Sequence, residues 1–184
     1  MKEKRGVRVL NRLTPDQYVK SIYEIDFSLL KDKGIKAVIT DLDNTLVEWN
    51  RAEATPEVQE WFKRLDEFGL KVTIVSNNNE RRVRAFCDPE KRVFIHSAKK
   101  PRRKAFRQAC KRMEVKTEET VVIGDQIFTD VLGGNRAGIH TILVVPVTQT
   151  DDWMTKANRK MERYVLRNMK KRGLIEWEDN KSNE

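Results

Sequence analysis

The sequence predicts an α/β fold built on a parallel sheet, and three observations carry that prediction. Short apolar runs rich in β-branched residues, at 37–39, 72–75 and 120–123, have the character of strands buried on both faces. The segments between them keep the apolar spacing of helices. Each run gives way at its carboxyl end to acidic or hydroxyl residues, Asp41, Ser76 and Asp125, at the edge where open α/β sheets gather ligands.

The totals bound the class of protein. A chain of 184 residues is the size of one domain and long enough to bury a core. No apolar run reaches the roughly eighteen residues of a membrane span. The charged opening Met1-Lys2-Glu3-Lys4-Arg5 has no apolar segment behind it to make a secretory signal. Two cysteines, Cys87 and Cys110, are too few for a disulfide framework, and as reduced thiols in helices they favour a cytoplasmic location. The net charge of +9 suits an anionic partner: a nucleic acid, an acidic membrane surface or a phosphorylated substrate.

Within residues 1–35, Thr14-Pro15-Asp16 reads as a helix start. Tyr18, Val19 and Ile22 then share one face of a short helix over the edge of the sheet. The first strand leads into Asp41-Leu42-Asp43-Asn44-Thr45. Trp49, close to this acidic pair, lines the site entrance or packs. Thr55-Pro56-Glu57 opens a second helix, with Val58, Trp61 or Phe62, Leu65 and Phe68 on its buried face and Gly69 closing it.

The second strand ends in Ser76-Asn77-Asn78-Asn79, which offers donors to a phosphate or caps the helix expected at 80–91, the carrier of Arg81, Arg82 and Arg84. Residues 92–95 make a third strand, and His96 after it reads as a surface residue. Pro101 opens a helix running through Phe106 and Ala109 to Met113. The fourth strand ends at Gly124, which permits a tight turn, and Asp125 takes the place on it that Asp41 holds on the first. Asp130 falls early in the next helix, favoured there by the macrodipole or orienting Lys100 or a metal-bound water. Gly133 and Gly134 allow close helix-to-strand packing, and 141–145 is a fifth strand. From Asp151 to about 172 a basic helix carries an apolar docking stripe of Met154, Ala157, Met161, Val165 and Met169; a polar tail occupies 176–184.

The chemistry starts from Asp41 and Asp43. On an extended chain their carboxylates point the same way and repel each other unless a cation or a shared proton intervenes. That pattern suggests a magnesium site in which one carboxylate is a nucleophile and the other an acid and base, although Asp and Asn are also ordinary turn residues. The Asp41 carboxylate, the Asp43 carbonyl and Asp125 suffice as metal ligands if the fourth strand neighbours the first, which places the topological switch point there. Lys100, with Lys99 competing for the role, supplies an ammonium to neutralise the carboxylates and an incoming phosphate.

Taken together, Asp41-Leu42-Asp43-Asn44-Thr45, Ser76-Asn77, Lys100-Pro101 and Gly124-Asp125 through Asp130 resemble the four motifs of the haloacid dehalogenase superfamily, in order and at fitting spacing. The chain is most similar to its small class IIIA, YqeG-like phosphatases. The resemblance implies a Rossmann-like three-layer sandwich with a five-stranded parallel sheet ordered 5-4-1-2-3. It implies that Asp41 attacks phosphorus to form an aspartyl-phosphate, that Asp43 protonates the leaving oxygen and then activates water, and that Mg²⁺ assists. Thr45, Ser76, Asn77 and Lys100 are then expected on the phosphoryl group.

Thirty residues separate Thr45 from Ser76 and twenty-three separate Ser76 from Lys100, each gap filled by a helix and a strand. Neither has room for a cap domain, so one open domain over residues 1–175, with its catalytic core at 36–146, is expected to take a large or surface-presented substrate. Between Arg81 and Arg112, thirteen Lys and Arg face only Asp88 and Glu90, a balance of +11. Class IIIA relatives include phosphatidylglycerophosphate phosphatases, so the leading expectation is dephosphorylation of that lipid by a cytoplasmic protein in peripheral contact with the inner face of the membrane. The alternatives are a phosphatase for nucleic-acid ends or phosphoproteins, and an RNA-binding protein with a vestigial acidic site.

Overall fold

A computed structural model describes residues 11–148, 153–171 and 173, with the side chains of 153–160 excepted. Its strands are β1 (Gln17–Val19), β2 (Ala37–Thr40), β3 (Lys71–Val75), β4 (Val93–Ile95), β5 (Thr120–Gly124) and β6 (His140–Val144). They form one sheet in the order β1-β6-β5-β2-β3-β4, with every pair parallel. The five-stranded sheet ordered 5-4-1-2-3 is therefore corrected to six strands in this order. The missing strand is β1, where a helix was expected from Thr14-Pro15. Gln17, Tyr18 and Val19 instead pair with Ile142, Leu143 and Val144 along the outer edge of β6. The Asp16 carboxylate, rather than capping a helix, accepts from Thr141 N at 2.8 Å, and Asp16 N donates to Thr141 O at 3.0 Å. An unpaired sheet edge outbid a local cap signal, because its backbone groups need partners that a short isolated helix does not supply.

The helices are α1 (Phe27–Asp32), α2 (Pro56–Glu67), α3 (Glu80–Cys87), α4 (Arg103–Met113), α5 (Leu132–Ala137) and α6 (Trp153–Lys171). Asp26 caps α1 by accepting from Ser28 N and Leu29 N. Thr55 caps α2 as expected, and both Trp61 and Phe62 are buried on it beside Val58 and Leu65. Alternation along the strands splits the core into two layers. Val38, Ile74, Val121 and Ile123 meet Leu30, Leu65, Val83 and Phe86 on one face. Ile39, Val75 and Val122 meet Phe106, Ala109 and Met113 on the other. Gly134 lets α5 approach β5 and β6 at Val122 and Thr141, whereas Gly133 makes room for the Phe106 ring on α4.

Two helix boundaries and part of one docking face differ from expectation. Helix α3 stops at Cys87 rather than 91, and α4 starts at Arg103 rather than at Pro101, which lies in the turn that presents Lys100. Helix α6 docks Val165 and Met169 of the expected stripe against the domain, but turns Glu162 inward where Met161 was expected. Met161 is 53% exposed, while Glu162 and Met169 are buried, with Val165 and Leu166 half-buried between them. The reason is polar: the Glu162 carboxylate accepts from Ile127 N at 2.8 Å and Phe128 N at 3.4 Å, two donors left free at the start of a short π-helical turn, Ile127–Val131. The side chains of Met154 and Ala157, and the tail 176–184, lie outside the described residues. Among the described residues no helix is long and apolar enough to cross a membrane. Cys87 and Cys110 are buried free thiols, the former pushed up to about 12 by burial.

Candidate active site

The sheet register creates the site. Thr40 lies opposite both Ile74 and Ile123, so the chain leaves β2, β3 and β5 at the same level. Asp41 N donates to Ile123 O at 2.9 Å and Ser76 N to Ile95 O at 3.0 Å, which carries the ladder one residue past the strands. After β2 the chain runs outward through β3 to β4, then returns to add β5 on the other side of β2. The acidic residues of β2 and β5 thus flank the switch point, as expected.

Beyond Asp41 the chain turns at once. Asn44 has φ of 63°, a left-handed conformation Asn tolerates, and Leu46 N donates to Leu42 O at 2.9 Å. This tight loop buries Leu42 and aims Thr45 inward, where its hydroxyl donates to Asp125 Oδ1 at 3.0 Å. Asp41, Asp125 and Asp130 bring one carboxylate oxygen each within 4.8 Å of one another. Asp130 was expected as a helper of Lys100 or of a metal-bound water. It does hold Lys100, but it also stands in the acidic cluster itself, carried there by the π-helical turn. Gly124 is needed for that approach and not for a tight turn: an added Cβ would fall on the Asp130 carboxyl group. Gly124→Ala is expected to cost about 1–3 kcal/mol through overpacking and to weaken divalent-cation binding, checked by thermal denaturation and by Mg²⁺ titration.

Lys100 settles the competition with Lys99, which is exposed. The Lys100 side chain is 2% exposed, and its Nζ lies 2.8 Å from Asp41 Oδ1 and 2.7 Å from Asp130 Oδ1. Burial opposes its charge, but the Asp130 and Asp41 carboxylates outweigh that and hold its pKa above the ordinary lysine value. Burial raises the Asp130 carboxyl against the counteracting Lys100 ammonium, with Asp41 and Asp125 adding to the rise. Asn77 fixes the lysine's backbone: its Oδ1 accepts from Lys100 N at 2.7 Å, and its Nδ2 lies 3.4 Å from Lys100 O. The expected phosphate ligand Asn77 therefore has a positioning bond as well. Ser76 is buried at the strand end, with its Oγ accepting from Asn78 N at 3.0 Å.

Asp43 occupies a different environment from Asp41. Its carboxylate lies outside the three-carboxylate cluster and faces Arg82 and Asn78, two residues whose roles the sequence did not reveal. Burial raises its pKa, repulsion from Asp41 adds to the rise, and Arg82 and Asn78 oppose it. Asn79 caps α3 by accepting from Arg82 N at 3.0 Å, which puts position 82 in the first turn, next to buried Val83. His96 lies 3.7 Å from Glu80 on the surface, and Trp49 is 48% exposed rather than packed in the core.

The donor set fits a hard divalent cation. Three buried carboxylates against one ammonium leave two negative charges when all are ionised, and all the available donors are oxygens.

This arrangement has relatives. A model of the haloacid dehalogenase-like hydrolases matches residues 17–138, about two thirds of the chain. The chain belongs to this family. As a haloacid dehalogenase-like hydrolase it is 56% identical over 165 residues to the probable phosphatase YqeG of Bacillus subtilis, an overlap covering 90% of this chain and 96% of that protein. It is 29% identical over 171 residues to phosphatidylglycerophosphate phosphatase 1 of Arabidopsis thaliana, covering 87% of this chain but only 49% of the plant protein. The cobalt-bound deoxy-D-mannose-octulosonate 8-phosphate phosphatase of Haemophilus influenzae shares the fold at a TM-score of 0.52 and 18% identity, over 79% of this chain and 95% of that one. In this hydrolase, helix α2 with β3 fills the interval from Thr45 to Ser76, and α3 with β4 fills that from Ser76 to Lys100, so no cap covers the acidic cluster from either interval.

Proposed function

We propose that the protein hydrolyses phosphomonoesters through an aspartyl-phosphate on Asp41, with phosphatidylglycerophosphate at a membrane surface as its substrate. The observation that carries the reaction is the convergence of Asp41, Asp125 and Asp130 at one edge of the sheet, with Lys100 bridging Asp41 and Asp130. Asp41 attacks phosphorus, forming an oxygen–phosphorus bond as the bond to the leaving oxygen breaks. Asp43 gives its proton to that oxygen. In the second half, Asp43 takes a proton from the water that attacks phosphorus, releasing phosphate and restoring Asp41. Lys100 holds Asp41 in place and offers positive charge to the phosphoryl oxygens, with the Ser76 hydroxyl and Asn77 beside it. A magnesium ion held by Asp41, Asp125 and Asp130 would supply further neutralisation of the phosphoryl charge.

Three features support a lipid substrate. The uncapped site admits a headgroup presented by a bilayer. The exposed Arg102, Arg103, Lys104 and Arg107 that follow the Lys100 turn, and the exposed Arg163, Arg167, Lys170 and Lys171 of α6, suit an anionic surface. A cavity of about 300 Å³ reaching Thr45 is lined by the apolar Ile22, Leu46, Val47, Val145 and Val147 together with Lys20 and Glu48. The similarity to the plant phosphatase points the same way. Phosphate release from phosphatidylglycerophosphate vesicles in Mg²⁺ is the test. Turnover on phosphorylated oligonucleotides or peptides with none on vesicles would overturn the lipid assignment while leaving the reaction intact.

A further inference from the structure

We propose that Arg82, with Asn78, is a positioning clamp that fixes the direction of the Asp43 carboxyl for proton delivery to the leaving group, which suits the site to alkyl phosphomonoesters. The inference rests on the phosphatase reading above and extends it to the class of leaving group.

The geometry is asymmetric. Arg82 Nε donates to Asp43 Oδ1 at 2.9 Å, and Nη2 lies 2.8 Å from the same oxygen. Asn78 Nδ2 donates to Oδ2 at 3.1 Å. Each carboxyl oxygen thus accepts one hydrogen bond, Oδ1 from the guanidinium and Oδ2 from the amide, and Nη2 adds an ionic contact to Oδ1. Rotation that would exchange the oxygens breaks all three contacts. The pair is held with side-chain exposures of 14% for Arg82 and 19% for Asp43, where solvent screens it little.

Arg82 has no comparable reason to be buried for the sake of the fold. Among the described residues its guanidinium makes one hydrogen bond, from Nε to Asp43, and Nη1 and Nη2 are both buried with no hydrogen-bond partner. A buried guanidinium with one partner is a poor source of stability, because desolvation consumes most of the attraction. The elements it joins, the loop after β2 and the first turn of α3, are already packed through Leu42, Val47, Val83 and Phe86. What the contact adds is a fixed direction for one carboxyl group, and a proton donor misplaced by a fraction of an ångström loses much of its effect.

The need for that proton depends on the leaving group. An alkoxide is a poor leaving group without protonation, whereas p-nitrophenolate departs unaided. In the first half-reaction, the Asp43 carboxyl gives its proton to the alcohol oxygen as the phosphorus–oxygen bond breaks. Asp43 is left as carboxylate between Arg82 and Asn78, and its proton is regained from water in the second half-reaction.

The experiment measures phosphoenzyme formation under single-turnover conditions in Mg²⁺, for the wild type, Arg82→Ala and Arg82→Lys, with glycerol 3-phosphate and with p-nitrophenyl phosphate. Arg82→Ala should slow the step with glycerol 3-phosphate by about 10²-fold, and with p-nitrophenyl phosphate by no more than several-fold. Arg82→Lys, which keeps the charge without the fork, should recover part of the loss with glycerol 3-phosphate and carries the test if the alanine variant does not fold. Substrate concentration for half-maximal rate should change little. Equal slowing with both substrates, or none with glycerol 3-phosphate, overturns the clamp. Absence of phosphoenzyme in the wild type with either substrate overturns the reaction assigned to Asp41 and the clamp with it.

Discussion

Asp41→Asn should abolish phosphate release, by on the order of 10⁴-fold or more, while leaving the fold in place. The amide keeps the shape of the carboxylate and its place after β2, where the backbone N–H is bonded to Ile123 O. It removes the nucleophilic oxygen and one charge from the acidic cluster. Because Asp41 is one of three clustered carboxylates and shares the Lys100 ammonium with Asp130, losing its charge relieves repulsion. The metal-free variant should therefore melt no lower than the metal-free wild type. Phosphate release measured beside a thermal melt separates the two effects. Residual activity within tenfold of the wild type would remove Asp41 from the reaction.

Lys100→Met should be the most destabilising single change at the site. The methionine fills similar volume, but Asp41 and Asp130 are left without their buried counter-charge. Breaking a buried ion pair from one side costs about 3–5 kcal/mol. The pH dependence follows from the Asp130 carboxyl, which burial already raises above its unfolded value. Between those two values the folded protein binds more protons than the unfolded chain, so stability from this group is present in acid and is lost as pH rises through the folded pKa. Removal of Lys100 raises the carboxyls further and widens that window. The variant should therefore regain stability as pH falls from 8 towards 5, more steeply than the wild type, and saturating Mg²⁺ should narrow the difference. Denaturant titrations across that range would show it; a variant as stable as the wild type at pH 8 would contradict the charge balance described here.

Legibility of the chain tracked how local each cause was. Strands β2, β3 and β5 could be read because their β-branched runs are continuous and end in residues that suit neither packing nor helix. Helix α2 could be read because Thr55, Pro56 and Gly69 mark both ends within the segment. Strand β1 could not, since its three residues are extended only by virtue of the β6 edge, 125 residues away, and Thr14-Pro15 speaks locally for a helix. The inward place of Glu162 on α6 was hidden for the same reason. Met161 and Glu162 are neighbours, and which of them turns inward depends on two backbone donors at Ile127 and Phe128.

At the site, Asp41, Asp125 and Lys100 were visible by their place at strand or motif ends. Asp130 was visible, though not its share in the acidic cluster, because a π-helical turn alters the direction of a side chain that an α-helix would have aimed elsewhere. Arg82 was one of thirteen basic residues between Arg81 and Arg112, and only three-dimensional placement distinguishes the one that meets Asp43.

The assignment of Asp41 as nucleophile and Asp43 as acid and base is tested most directly by locating the transferred phosphoryl group. Wild-type protein mixed with p-nitrophenyl phosphate and Mg²⁺, quenched in acid within one turnover and digested, should carry the mass of one phosphoryl group on Asp41, absent when Mg²⁺ is withheld and absent in Asp41→Asn. A label on Asp43, or steady turnover with no label on either aspartate, would contradict it.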